Sequence, residues 1–290
     1  MNSFLLINKP AGISSFGVIH QLRKLTGIKK IGHAGTLDPF ATGLLICATG
    51  QYTRLLKYAE AQSKSYEATM LLGKKSATGD PEGEIVAEEE PNIKPEDLLQ
   101  VKARVMALTE LQVPLYSAIK LDGKRAYQYA REGQTPEMPI RTVEIYDFEL
   151  LSDLQDNALR YRVCVSKGTY IRALTEYIAS LLGTVGMTTA LQRTAIGELD
   201  LTKSWNLSEL EQGWQKAICP VEQILTGLPK LSLSDEQGRH FLNGRKFSLA
   251  YDCTDGSELA VLYEEKLLGI GRCETGYIMP SLVFNKDTAQ

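Results

Sequence analysis

Three short stretches of this 290-residue chain hold side chains suited to chemistry on a shared ligand. Residues 32–43 read G-H-A-G-T-L-D-P-F-A-T-G and confine one carboxylate, Asp38, among Gly32, Gly35, Gly43 and Pro39. The glycines allow close approach of backbone or ligand, and Pro39 disfavours helical geometry at Asp38. Such a loop can hold a carboxylate at a fixed angle outside a strand end. It is not a P-loop, since it lacks G-x-x-x-x-G-K-[ST] and its negative charge would repel phosphate. On pattern alone, an aspartate in a tight Gly/Pro turn is the simpler reading. Residues 166–172, S-K-G-T-Y-I-R, fall between a strand and a helix. Arg172 would sit in the first helical turn, where the dipole disfavours a cation, so it calls for a carboxylate partner. A surface Arg beside a core Tyr is the alternative. In K-S-Y at 64–66, Lys64 and Tyr66 point to one face of a strand. One can meet a phosphate while the other stacks on a base; a Tyr packed in a sheet core is as good a reading.

The elements that must position these residues are legible in outline. Residues 4–7 read as a short buried strand, broken by Lys9, Pro10 and Gly12. Ser14 or Ser15 is placed to cap a helix running to about Thr26, with Val18, Ile19, Leu22 and Leu25 on one face and Gly27 past its end. Residues 44–48 are a continuous apolar run and 64–73 alternate at their start, so both are expected as strands. The acidic stretch 79–97, rich in Gly and Pro, is expected as a loop leading to a helix near 96–108. Residues 114–141 suggest a functional loop with a short helix around 126–132. Residues 142–150 and 158–166 are antiparallel strand candidates, and 170–182 have helical spacing that ends at Gly183. The texture changes at Gly227 and Pro229. Ser234 and Gln237 fit a capping box, and short β-like segments follow at 246–251, 258–264, 267–272 and 277–283. Two units are expected, residues 1–227 and 228–290.

Composition narrows the class. The chain is 43% hydrophobic and 23% charged, with net charge -3. That total argues against a nucleic-acid binder, but the charge is uneven. Residues 1–60 carry seven Lys/Arg against Asp38 and Glu60, and residues 80–110 carry nine acidic groups against three basic. A basic face can therefore coexist with an acidic total, although ordinary solvated charge explains any single cluster. The cysteines at 47, 164, 219, 253 and 273 show no C-x-x-C spacing, so reduced thiols in a cytoplasmic protein are expected. Three dispersed histidines do not make a metal site. The four-residue apolar run at the N-terminus is too short for a signal peptide or a membrane span.

Taken together, I-N-K-P-A-G-I-S-S at 7–15, the Asp38 loop, K-S-Y at 64–66, P-L-Y-S-A-I-K-L-D-G-K-R-A-Y-Q-Y-A-R-E-G at 114–133, S-K-G-T-Y-I-R at 166–172 and L-Q-R-T at 191–194 fall in one order. In content and spacing they resemble the bacterial TruB-type tRNA pseudouridine synthases, over roughly residues 4–225. The C-terminal segment resembles, more weakly, the small PUA-type RNA-binding domain that follows this catalytic domain. The resemblance implies an α+β fold, a mixed, mainly antiparallel sheet flanked by helices, then a small β-rich domain. It implies isomerisation of uridine to pseudouridine at position 55 in the T loop of tRNA, without cofactor or metal, and a tRNA-folding role that can coexist with it.

Residue by residue, the resemblance makes Asp38 the catalytic carboxylate, acting as nucleophile or base. Attack at ribose carbon 1, attack at uracil carbon 6 and proton abstraction at ribose carbon 2 all stay open. Arg172 pairs with that carboxylate, Tyr66 stacks on the uracil, Tyr170 and Leu191 line its pocket, and His33 fills the vacated stack. Lys9, Lys64, Lys120, Lys124, Arg125 and Arg131 are the expected phosphate contacts. The expected partner is tRNA, through its T arm and by way of the small domain its acceptor stem, with no membrane and no obligatory protein partner. A uracil carbon-5 methyltransferase would need a Cys nucleophile and a Gly-rich cofactor loop; no Cys sits in such a context.

Overall fold

The computed structural model describes residues 1–248 and 253–284. Its body is built, in chain order, from β1 (Phe4–Lys9), α1 (Ser15–Thr26), β2 (Ile31–Ala34), β3 (Thr42–Thr49), β4 (Lys64–Leu72), β5 (Ile145–Leu150), β6 (Ala158–Val165), α2 (Ile171–Leu181) and β7 (Gly186–Ile196). These strands form a ten-stranded sheet in the order β5-β6-β4-β7-β3-β1, with β2 beside β3 and three two-residue strands at its margins. The long strands pair antiparallel, except β7 with β3, which run parallel. This is the mixed, mainly antiparallel α+β arrangement that the sequence predicts.

Burial explains the strand patterns. In β1 and β3, Phe4, Leu6, Leu44, Ile46 and Ala48 pack on one face. Leu5, Ile7, Leu45 and Cys47 pack on the other, against Val18, Ile19 and Leu22 of α1. Strands buried on both faces read as unbroken apolar runs. β4 is covered on one face only, so Lys64, Tyr66, Ala68, Met70 and Leu72 are buried and their neighbours are not. That face packs against Leu174 and Ile178 of α2. Ser14 is the cap of α1, its hydroxyl accepting from the Gly17 N–H, and Gly27 ends the helix at φ 71°.

Two local expectations change. The acidic stretch is not all loop, because Ile85–Glu88 pairs with Lys74–Ser76. The helix expected near 96–108 is two short helices, Pro95–Leu99 and Val101–Met106. Residues 113–138 carry a small core of Val113, Ala126 and Met138, against which Tyr170 packs.

C-terminal to this lies a five-stranded sheet of β8 (Lys230–Ser232), β9 (Phe247–Ser248), β10 (Glu258–Tyr263), β11 (Lys266–Glu274) and β12 (Tyr277–Val283), in the order β8-β10-β11-β12-β9. Helix α3 (Asp235–Leu242) opens with the expected Ser234–Gln237 capping box. Residues 249–251 of the strand expected at 246–251 lie outside the described residues. The small sheet has its own core around Phe241 and Val261. It also sends Ala260, Ile270, Leu282 and Phe284 into the core beneath Phe4 and Leu44. The Tyr52 ring packs between Phe4 and Phe284, at 5.5 and 5.3 Å. Glu258 accepts from Lys57 Nζ and Tyr58 Oη at 2.9 and 2.8 Å.

The expectation of five reduced thiols is corrected. Cys253 and Cys273 form a disulfide, with Cα atoms 6.3 Å apart, while Cys47, Cys164 and Cys219 are free. The backbone exchange between Cys273 and residues 256–257 brings the pair together across 20 residues of sequence. Close spacing could not have revealed it. Among the described residues no helix is long and apolar enough to cross a membrane.

Gly43 tests the parallel seam. It has φ 106°, and a Cβ there would stand 2.3 Å from the Arg193 carbonyl oxygen across the β3–β7 pair. We predict that Gly43→Ala costs about 3 kcal/mol through overpacking and a strained φ, read as a lowered urea midpoint. An unchanged midpoint would show that the seam yields freely.

Candidate active site

The Asp38 loop is held from beneath by the segment that follows β1. Ser15 Oγ accepts from the Leu37 N–H at 2.8 Å and donates to the Leu37 carbonyl at 3.1 Å. The Gly12 N–H reaches the Pro39 carbonyl at 2.9 Å, and the Ala41 N–H turns back to the Asp38 carbonyl at 3.1 Å. The Lys9 ammonium lies under the loop, donating to Pro10, Pro39 and Ala41 carbonyls at 2.9, 3.2 and 2.7 Å. Burial pulls the Lys9 ammonium down to about 8 against the attraction of Asp38.

From above, the loop meets Arg172. Its Nε lies 2.9 Å from Asp38 Oδ2 and its Nη2 3.3 Å from Asp38 Oδ1, a bidentate pair. The same guanidinium donates to the Thr78 carbonyl at 2.5 Å and the Tyr116 carbonyl at 2.8 Å, and pairs with Asp80 at 3.4 Å. The Arg172 side chain is 5% exposed, whereas 33% of Asp38 stays open. Fixed yet reachable, Asp38 meets the first condition for a reacting group. Burial raises the Asp38 carboxyl above its ordinary range; Arg172 and Lys9 oppose this and Asp80 adds to it.

Asp38 opens into a cavity of about 880 Å³, lined also by Tyr66, Tyr116, Tyr127, Tyr170, Leu191 and Arg172. The structure thus brings together Asp38, Arg172, Tyr66, Tyr170 and Leu191 from four separate segments. Arg131 also lines it, its guanidinium 5.3 Å from the Tyr127 ring centroid. Lys120 and Arg125 are exposed on the 114–141 segment, and Lys124 is tied to Glu132 and packs over the Tyr129 ring. None of these three lines the cavity. His33 does not line it either: it sits on β2 opposite Cys47, half-buried, its Nδ1 without a hydrogen-bond partner among the described residues. Burial, reinforced by Arg193, holds its imidazole below the ordinary range.

Two expected phosphate contacts are corrected. Lys9 is fully buried and all its ammonium contacts are loop carbonyls. Lys64 borders the cavity but is 7% exposed and turned to the Glu60 and Gln62 carbonyls, at 2.5 and 2.6 Å. Both sit at strand ends whose buried faces leave carbonyls in need of a donor. Two site residues escaped the sequence reading. Asp80, buried at 3% exposure, was absorbed in the acidic stretch; the T-G-D run at 78–80 was its only signal. Arg193, at 1% exposure, donates to the Leu44 and Gly35 carbonyls at 2.8 and 3.1 Å and so braces the loop. Among the described residues no group of three or more His, Cys, Asp or Glu is placed to hold a metal.

The fold is shared with solved structures. A chain of a Cbf5–Nop10–Gar1 complex superposes with TM-score 0.74 at 22% identity, covering 98% of this chain and 86% of that one. Another, from an archaeal box H/ACA Nop10–Cbf5 complex, does so with TM-score 0.68 at 23% identity, covering 94% and 79%. Residues 23–171 match the family model described as TruB family pseudouridylate synthase (N terminal domain). The class is therefore that of the pseudouridine synthases, isomerases in which an enzyme turns one nucleoside into another. Two relatives fix the position within it. The tRNA pseudouridine synthase B of Ralstonia pickettii is 36% identical, covering 97% of this chain and 93% of its own length. That of Streptococcus gordonii is 37% identical, covering 98% and 100%. The chain belongs to the TruB family of pseudouridylate synthases.

The inward turn of Lys9 has a measurable consequence. Lys9→Met should lower the unfolding free energy by about 2 kcal/mol or more, because buried carbonyls lose their donor. It should leave the salt dependence of RNA binding unchanged. A phosphate contact would instead reduce the slope of log K against log[salt] by roughly 0.7–0.9, and that result would restore the original assignment.

Proposed function

We propose that this enzyme converts uridine to pseudouridine at position 55 in the T loop of tRNA, with Asp38 as its catalytic carboxylate. The observation that carries the reading is the two-point clamp of Arg172 on Asp38 at the wall of a nucleotide-sized cavity. The near full-length relatives named tRNA pseudouridine synthase B support the substrate.

The target base must leave its stack before it can reach Asp38, at a cost of a few kcal/mol. Stacking on Tyr66, whose ring borders the cavity, returns roughly 1–3 kcal/mol of this. Leu191 and Tyr170 close the apolar sides of the base pocket. His33 takes the vacated place in the RNA stack with its planar imidazole, whose basicity burial lowers. T-loop nucleotides are cheaper to extrude than duplex ones. Arg131, with Lys120, Lys124 and Arg125 farther along the same segment, contacts the RNA backbone. Residues 1–227 form the catalytic unit, and the sheet within 228–290 extends the RNA surface toward the acceptor stem.

Asp38→Asn keeps the shape of the site but removes its base and nucleophile. We expect pseudouridine formation in an unmodified tRNA transcript to fall by a factor on the order of 10³ or more, with RNA affinity within about threefold. Activity equal to wild type would sink the mechanism, and a product mapped elsewhere than position 55 would overturn the specificity. The pH profile adds a signed test. Burial and Asp80 raise the Asp38 carboxyl above 3.8, so the acid limb of kcat/KM should lie above that value, with activity lost as pH falls through it. Asp80→Asn removes a neighbouring negative charge and should move that limb to lower pH; a shift to higher pH would contradict the assignment.

A further inference from the structure

The cavity wall holds more positive charge than the catalytic carboxylate uses. Lys64, Arg131, Arg141, Lys167, Arg172 and Arg193 line it, against Asp38 and Glu60. Four of these cations are engaged. Arg172 is divided among Asp38, Asp80 and two carbonyls. Arg193 holds two carbonyls of the loop and β3, Lys64 holds two at the start of β4, and Arg131 lies over the Tyr127 ring. Arg141 and Lys167 differ. Both are exposed, and among the described residues neither side chain has a hydrogen bond, an ion pair or a ring contact.

Arg141 reaches the turn that carries Lys167. Gly168 follows Lys167 with φ 82°, and a Cβ built on it would stand 3.2 Å from Arg141 Nη1. The guanidinium therefore lies close against the bare backbone of the turn. The turn is itself fixed: Thr169 Oγ1 donates to the Ser166 carbonyl at 3.0 Å, and Ser166 Oγ accepts from the Glu144 N–H at 2.9 Å. Arg141 reaches it from Ile140–Thr142, a strand paired with Glu110–Gln112. Two cations from separate segments thus border one turn of the cavity wall, and neither side chain is paired with an anion among the described residues. The field of Lys167 also extends to Lys64, which burial, Arg193 and Lys167 together pull down to about 8.

We propose that Arg141 and Lys167 form a phosphate seat for the phosphodiester adjoining the nucleotide whose base reaches Asp38. The inference rests on the proposed action on RNA and adds the element that positions the backbone of the flipped residue. An anion between the two cations converts their repulsion into two charge-assisted contacts. Arg141 can grip two phosphate oxygens at once, while Lys167 supplies a point charge. One belongs to the 114–141 segment and its closing strand, the other to the turn before α2. A phosphate held by both would tie that segment to the catalytic core while the base is in place.

The test uses the full-length protein and an unmodified T-arm stem–loop RNA, with a single neutral methylphosphonate linkage placed 5′ or 3′ of the target uridine. For wild type, one of the two neutral linkages should raise Kd and KM about tenfold, the equivalent of about 1.4 kcal/mol. Arg141→Gln with Lys167→Gln should show that loss on the all-phosphate RNA and no further loss on the neutral one. Its kcat should stay within about twofold, and its salt slope should fall by roughly 0.7, for the one phosphate no longer neutralised. Arg141→Lys with Lys167→Arg should restore the slope, which a merely structural role would not do. If the double Gln variant binds as wild type does, or still loses the full factor on the neutral linkage, the seat is refuted. Failure of wild type to form pseudouridine would instead refute the underlying functional reading, and the binding measurements would still decide the seat.

Discussion

The guanidinium of Arg172 is the junction on which this site depends. It joins four segments that are far apart in sequence: the Asp38 loop, the turn at Thr78–Asp80, the start of the 114–141 segment at Tyr116, and α2. No lysine could do this, because an ammonium lacks the planar fork that meets a carboxylate at two points and still has donors for carbonyls on its other edge. Buried ion pairs contribute little net stability, since desolvation offsets attraction. What this one supplies is orientation. With both oxygens of Asp38 engaged by Arg172, the carboxylate plane is set before substrate arrives.

The same arrangement tunes reactivity. Asp80 shares the guanidinium, so the positive charge is not spent on Asp38 alone. Burial and Asp80 push the Asp38 carboxyl up, and Arg172 and Lys9 pull it down, with burial the largest influence. A carboxylate whose proton affinity is raised is a stronger base and nucleophile once ionised than one on an open surface. Arg172 opposes the upward pull of burial on Asp38, and Asp80 adds to that pull.

How much of this was legible in sequence depends on where the determining contact lies. The Ser14 cap, the Gly27 stop and the Ser234–Gln237 box were readable because helix ends are local. Strands β1, β3 and β4 were readable because burial on two faces or one leaves a distinct pattern. β7 was not read as a strand, although it lies in the middle of the sheet. Its register breaks at Thr188/Ala190 and Arg193/Ala195 spoil the two-residue alternation, and a polar Thr188 points inward, its Oγ1 donating to Thr175 Oγ1 at 2.8 Å. Asp38, Tyr66 and Arg172 were found through motifs in register, whereas Asp80 sat in a run of acids that looked like solvated surface. Lys9 and Lys64 looked like RNA contacts because charge is visible in sequence and the backbone carbonyls that absorb it are not.

That last point also explains where the cavity lies. The half of the sheet around β4, β5 and β6 packs with α2 in one cluster that includes Leu37, Tyr66 and Leu191. The half around β1 and β3 packs in two others, one of which takes Phe284 from the small sheet. The two halves join where β7 runs parallel to β3, at Gln192–Thr42 and Arg193–Gly43. Only two residue pairs hold this seam, and a parallel pair is slightly less stable per residue than an antiparallel one. Arg193 reinforces it from within, spanning from β7 to the Leu44 carbonyl of β3 and the Gly35 carbonyl of the Asp38 loop. The Asp38 loop is thus attached at a short seam of the sheet, by a buried cation. This lets the loop open beside a wide cavity while its anchor stays rigid.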